Sequence, residues 1–308
     1  MRAAKTLMTL SAVALIGLTA CSSSDDNSGD QIEVVIATTN FSETKILANM
    51  YEQVLEATGI QASIKELTTR EVIFPALSSG DVQVTPEYLG TLTEYLNKQI
   101  NGTDAEQLAS GDADATLAAA QPLANEKNVT LLTPAAAQDQ NAFAVTAQFA
   151  EANNLTSLSD LAAYSKDNPI TLGGPPECPE RPFCQPGLEE TYGINIGSFS
   201  PLDAGGPLTI QALTQGTVDV GLVFSSSGSV AANDLVLLTD DKQLQTADNV
   251  VPAVHTPTLT DDLEAALNGV SDVLTTEDLQ ALNLQVDVDR KDPQDVAIAY
   301  LKDKGLIS

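Results

Sequence analysis

The chain has 308 residues, with 42 Asp and Glu against 14 Lys and Arg, a formal net charge of −28, three cysteines and one histidine. So acidic a surface repels nucleic acid and anionic lipid head groups and favours a soluble monomer. A single histidine leaves little for imidazole chemistry or a zinc site, and the length suffices for two ordinary domains or one large one.

Positions 1–20, MRAAKTLMTLSAVALIGLTA, place Arg2 and Lys5 ahead of an apolar run from Leu7 to Ala20. A basic start, a short apolar stretch and small residues before the break mark a secretory signal. The run is shorter than the roughly 20 residues that a membrane-spanning helix needs. LTAC (18–21) has the form of a bacterial lipobox, in which the cysteine becomes the lipidated first residue; the alternative is an ordinary signal with an incidental cysteine. SSSDDNSGDQ (22–31) is polar, cannot bury itself and reads as a flexible tether, which favours the anchor. The expected organisation is a signal over 1–20, then lipidated Cys21 and its tether over 21–31, on the extracytoplasmic face of a bacterial cell membrane.

IEVVIATT (32–39) reads as a buried strand, and NFSET (40–44) opens a helix to Gly59 in which Ser42 can cap the first turn. QASIKEL (61–67) is a second strand, REVIFPALSSG (70–80) a helix closed by a glycine suited to a left-handed cap, and DVQVTPEY (81–88) a third strand. Helix and strand signals alternate to about residue 145, which points to a largely parallel sheet covered on both faces. LTSLSDLAAYS (155–165) starts a second cycle. It continues through the strand ITLGGPPE (170–177), the helices PGLEETYG (186–193) and TIQALTQG (209–216), and the strands VDVGLVFSS, DLVLLTDD (234–241) and NVVPAV (249–254). The tail from residue 261 is helical. Two α/β cycles followed by helices make two lobes.

The two cycles share a phrase: ALSSGDVQVTPEYLGT (76–91) returns as ALTQGTVDVGLVFSSS (212–227), with Ala76 and Ala212 136 positions apart. Each copy reads as helix end, buried strand and ligand loop, delivering Tyr88 and Thr91 from one lobe, and Phe224 and Ser225 from the other, to the carboxyl edge of a sheet where ligands bind. The competing reading is generic helix-cap-strand grammar.

With Cys21 assigned to lipid, Cys178 and Cys184 in PPECPERPFCQPG form a lone nearby pair, which in a secreted chain reads as a disulfide. There is no Gly-x-Ser-x-Gly elbow, no Gly-x-x-x-x-Gly-Lys phosphate loop and no metal-spaced cluster of His, Asp and Glu, so neither an enzyme, a cofactor nor a metal is expected. A secreted hydrolase with a carboxylate pair assembled in space, and a structural envelope lipoprotein, are the rival classes.

The segments TTNFSETKILANMYEQVLEATG, ALSSGDVQVTPEYLGT, PERPFCQPGLEETYGI, DLVLLTDDK and LTTEDLQALNLQVDVDRKDPQDVAIAYLKDKGLI, in that order, resemble the osmoprotectant-binding proteins of ABC importers, the ProX/OpuAC-like receptors of glycine betaine, choline and carnitine. The resemblance spans nearly all of 32–308. It implies an α/β clamp of the type II periplasmic-binding-protein kind, two lobes joined by two crossing strands as a hinge. Lobe 1 is expected over 32–144 plus 252–308, completed by the C-terminal helices, and lobe 2 over 145–251. It also implies partners: a small solute, and an importer permease with its ATPase.

In that family a box of tyrosines holds a trimethylammonium group by cation–π attraction while arginine and hydroxyl donors hold a carboxylate. By motif Tyr88 matches the tyrosine of Pro-Glu-Tyr; Phe143 and, before SSSG, Phe224 fall where further tyrosines are usual; the fourth wall falls near Asp248 in TADNVVP. Thr91 and Arg181 match the anionic side, Asn40 and Asn141 stand beside these positions, and a lysine usual before Asn-Phe is Thr39 here. The cage is thinned, which leaves open a receptor of the same fold for a non-quaternary ligand. Each residue also has a plainer reading: Phe143 and Phe224 as core, Arg181 pairing with Glu177 or Glu180, Asp248 capping a turn.

Overall fold

The computed structural model describes residues 33–176 and 178–308; the signal segment, Cys21 and the tether lie outside them. Two five-stranded sheets organise the described chain. The first has the order β2–β1–β3–β10–β4 and is built from β1 (Val34–Thr38), β2 (Ala62–Glu66), β3 (Val84–Tyr88), β4 (Val129–Leu131) and β10 (Val250–His255). The second has the order β7–β6–β8–β5–β9, from β5 (Asn141–Thr146), β6 (Ile170–Gly174), β7 (Ile196–Pro201), β8 (Val220–Phe224) and β9 (Leu235–Leu238).

In each sheet four strands run in one direction and the strand that has just crossed from the other lobe runs against them, between the central strand and an edge strand: β10 between β3 and β4, and β5 between β8 and β9. The sheets are therefore mixed rather than purely parallel. β5 pairs wholly within the second sheet and β10 within the first, so the chain joins the second sheet at Asn141 and returns to the first at Val250. A single apolar stretch gives no sign of which sheet a crossing strand will join.

Helices cover both faces of each sheet. In lobe 1, α1 (Ser42–Ala57), α10 (Asp261–Val273), α11 (Thr276–Asp287) and α12 (Pro293–Asp303) close one core around Ile36, Leu47, Met50 and Tyr51. Opposite them α2 (Arg70–Ser79), α3 (Leu89–Asn101) and α4 (Ala113–Asn125) close another around Phe74, Leu89 and Leu92. In lobe 2, α5 (Ala147–Asn153), α6 (Leu158–Ser165), a short turn α7 (Gln185–Gly187) and the π-helical turn Leu188–Tyr192 pack on one face. On the other lie α8 (Pro207–Thr214) and α9 (Gly228–Ala232). The helix expected over 186–193 is present as one unbroken segment that widens from α to π pitch at Leu188 and ends at Gly193, whose φ is 73°. The Cys178–Cys184 disulfide joins the loop ahead of it, and a Cβ on Gly187 would strike the carbonyl oxygen of Pro182 on that loop.

Capping follows the sequence in most places: Ser157 with Asp160, and Thr275 with Asp278, form reciprocal boxes at the starts of α6 and α11. The start of α1 differs. Ser42 is its first helical residue, Phe41 occupies the cap without a side-chain bond, and Thr44 Oγ1 donates back to the Phe41 carbonyl at 2.9 Å.

The repeated phrase is a structural repeat. β3 and β8 are the central strands of their sheets, and Gly80 and Gly216, which precede them, have φ of 83° and 67°, the left-handed region that glycine enters without steric cost. Asp81 N–H donates to Ala76 O at 2.8 Å, and Thr217 N–H to Ala212 O at 2.9 Å. The Gln83 side chain accepts from Val35 N at 2.8 Å, and that of Asp219 from Thr171 N at 2.7 Å, so each copy ties its strand to the start of the neighbouring one in the same way.

Candidate functional site

Two crossing segments, residues 132–140 and 239–249, connect the sheets. They run side by side through a bridge between Gln138 and Asn249, and Asp139 N–H donates to Asp248 O at 3.1 Å. Beside them, between the carboxyl ends of β3 and β8, opens a cavity of about 630 Å³, lined by Arg70, Tyr88, Thr91, Tyr95, Asp139, Asn141, Phe183, Phe224, Gln245 and Asp248 among others. That volume is in the range of small-molecule sites.

Lobe 1 supplies the end of β3 and the first turn of α3. Gly90, in the Pro-Glu-Tyr-x-Gly-Thr motif, lets residues 246–247 close over that turn: a Cβ there would lie 2.8 Å from Thr246 Oγ1 and 3.1 Å from Ala247 O. Asp248 Oδ1 accepts Thr91 N–H at 2.7 Å, satisfying one of the open amides at the start of α3. Arg70 Nε donates to both Glu87 carboxylate oxygens at 3.1 and 3.0 Å, and its Nη2 to Glu87 Oε2 at 2.8 Å and Thr91 Oγ1 at 2.9 Å.

Behind Tyr88 lies a buried polar chain. Its hydroxyl donates to Glu43 Oε1 at 2.6 Å; Asn283 Nδ2, on α11, donates to Glu43 Oε2 at 2.6 Å and to Ser226 O, in lobe 2, at 2.9 Å; Ser226 Oγ donates to Asp139 Oδ1 at 2.7 Å. Glu43, Ser226 and Asn283 are all buried. Burial raises the carboxyl of Glu43, and burial with the nearby Glu43 charge pushes Asp139 up to about 8. Burial likewise lifts Asp248 to about 6, against the lowering effect of Thr91 and Arg70. Beside this chain α9 meets α11 so closely that a Cβ on Gly228 would collide with the backbone of Leu284, and Gln280 Nε2 donates to Ser225 O at 2.7 Å.

Five of the expected positions line this cavity: Tyr88, Thr91, Asn141, Phe224 and Asp248. Three do not. Asn40 is exposed at the start of α1, where its Oδ1 accepts from Lys45 Nζ at 2.7 Å. Phe143 is 1% exposed in the lobe 2 core: it shares a face of β5 with Asn141 but lies two residues further along the strand, opposite Leu222 and away from the end that borders the cleft. Arg181 is exposed on the disulfide loop, which instead turns Phe183 into the cavity, its carbonyl held by Gln245 Nε2 at 2.9 Å. Asp248 does cap a turn, the first of α3, and faces the cavity as well.

Sequence reasoning missed Arg70, Asp139, Phe183 and the Glu43–Asn283 pair. Glu43 looks like an ordinary acid in a helix's first turn. Asp139 stands in the polar run QDQN just before β5, which could have marked a crossing strand facing a ligand.

A family model described as the substrate-binding domain of an ABC-type glycine betaine transport system matches residues 32–303. The glycine betaine-binding protein YehZ of Escherichia coli is 33% identical over 273 residues, covering 85% of this chain and 88% of its own. The carnitine transport binding protein OpuCC of Listeria monocytogenes is 27% identical, covering 90% and 87%. A crystal structure of a glycine betaine/carnitine/choline ABC transporter component superposes with a TM-score of 0.79 at 26% identity, over 89% of this chain and all of that one.

Proposed function

Because the chain belongs to the substrate-binding domain family of ABC-type glycine betaine transport systems, and is therefore a solute receptor and not an enzyme, we propose that it captures a small quaternary-ammonium osmoprotectant of the betaine, choline and carnitine class in the cleft between its lobes. The observation that carries this reading is the pairing of Tyr88 and Phe224, ends of the two repeated strands, across one cavity that also receives Phe183. A methylated ammonium has no N–H to donate and gains instead from π faces, about 0.5–2 kcal/mol each depending on desolvation. Thr91 from lobe 1 and Asn141 from lobe 2 offer polar groups to the same cavity. In place of the expected tyrosine box, the cleft combines four aromatic rings, Tyr88, Tyr95, Phe183 and Phe224, with the carboxyls of Asp139 and Asp248.

The solute is held by closure of the two lobes about the crossing strands and handed to a permease driven by its ATPase. The receptor works as a monomer on the extracytoplasmic side, tethered through a lipid on Cys21. A thermal-shift series with glycine betaine, choline, carnitine and unrelated amino acids tests the ligand class. A true ligand at 100 times its dissociation constant adds about 2.7 kcal/mol of stability. A shift with one or more quaternary-ammonium solutes and none with amino acids is expected; shifts confined to the amino acids would overturn the reading.

A further inference from the structure

Asp139 and Asp248 stand side by side on the two crossing segments and both line the cleft, so a solute against them meets a carboxyl-lined floor. The cavity's lining also includes Glu71 and Glu94 but only two cations, Arg70 and Lys98. Arg70 is already paired: Glu87, whose side chain is 6% exposed, takes bonds from its Nε and Nη2, which also donates to Thr91 Oγ1, so its charge is largely matched before any solute arrives. Drawing the guanidinium away would leave a buried carboxylate unpaired, a strongly unfavourable exchange. Arg181, the other guanidinium expected to hold an anion, lies outside the cavity lining.

We propose that Asp139 sets the charge of the accepted solute: with Asp248 it makes the cleft select a quaternary ammonium of net positive charge, such as choline, over one whose cation is matched by its own carboxylate, such as glycine betaine. The inference rests on the quaternary-ammonium reading given above and specifies which end of that class the site fits. A monocation satisfies the carboxyl floor and brings no anion, whereas the carboxylate of betaine finds its nearest guanidinium already paired.

Proton linkage follows. Asp139 is faced by Glu43 from α1, by Tyr88 from β3 and by Asp248 from the other crossing segment, with Arg70 of α2 and Glu87 of β3 behind Asp248. These surroundings and burial push it up to about 8, so in the empty cleft near neutral pH it holds a proton. A bound monocation favours the ionised form and expels that proton. Choline affinity therefore rises with pH through this range, while a zwitterion, offering both signs of charge, gains far less.

The test is calorimetric titration of the intact mature protein with choline and with glycine betaine at pH 6 and pH 8, in two buffers of different ionisation enthalpy, repeated on Asp139→Asn. Expected are tighter binding of choline than of betaine, a rise in choline affinity of about tenfold or more from pH 6 to pH 8, and proton release on binding. In Asp139→Asn the preference for choline over betaine falls toward unity. Betaine binding more tightly than choline at both pH values, or a wild-type choline affinity flat with pH, overturns the charge selection and leaves the quaternary-ammonium reading standing. Failure of both solutes to bind at millimolar concentration overturns both; the wild-type comparison needs no variant to fold.

Discussion

At the scale of single residues, the proposed site is lined by side chains that also hold the fold together. Tyr88 presents its ring to the cleft while its hydroxyl satisfies buried Glu43. Tyr88→Phe keeps the ring and removes the donor, and is expected to cost about 1–3 kcal/mol of stability, read as a lower urea midpoint; an unchanged midpoint would mean that Asn283 alone satisfies Glu43. Asp248 has the same double role, since its Oδ1 is committed to the Thr91 amide. Tyr88, Thr91 and Phe224 were legible in the sequence because motif and strand ends coincide there. Phe143 was misleading: it follows Asn141 on the same face of β5, and only the pairing with β8, which sets Asn141 opposite Phe224 and Phe143 opposite Leu222, shows that Asn141 borders the cleft and Phe143 lies deeper in the sheet. Asp139 offered only its place in the polar run QDQN, without a motif.

At the scale of elements, the repeat accounts for the geometry. Two helix–glycine–strand units, tied identically to their neighbours by Gln83 and Asp219, aim two loops at one space. The contact between α9 and α11 joins the lobes beside it, and Gly228 is what lets their backbones approach. Gly228→Ala overpacks that contact and is expected to cost about 1–3 kcal/mol, measured as a melting temperature lowered by several degrees; an unaltered melting curve would show that the helices part without cost. The disulfide closes a short loop, so replacing both Cys178 and Cys184 by Ser is expected to cost only about 2 kcal/mol and to loosen Phe183 more than the lobe. Equilibrium unfolding of the double variant checks this; a loss of the fold at room temperature would contradict it. Strands, helices and the glycine caps were readable from local pattern. The sheet assignments of β5 and β10 were not, because they depend on pairings between distant segments.

At the scale of the whole molecule, an acidic receptor gathers three raised carboxyls beside its cleft. Asp139, Asp248 and Glu43 all titrate above their ordinary values in the fold. Each takes up a proton more readily folded than unfolded, so the stability it contributes is complete below about pH 4 and is lost as pH rises through the folded values. The lowered carboxyls, Asp160 at about 2 with Asp203, Asp241 and Asp278, act in the opposite sense, and their contribution is lost only in more acid solution. The melting temperature of the ligand-free protein is therefore expected to fall between pH 5 and pH 8, and a curve that rises across that window would contradict the buried cluster. The central claim is that one cleft between two lobes binds one small quaternary ammonium without changing it. Native mass spectrometry after incubation with an equimolar mixture of choline, glycine betaine, carnitine and unrelated amino acids tests it most directly. The account predicts a single one-to-one adduct with the unaltered mass of a quaternary-ammonium solute, greatly diminished in Tyr88→Ala; an adduct that survives that substitution undiminished, or a solute released with altered mass, would contradict it.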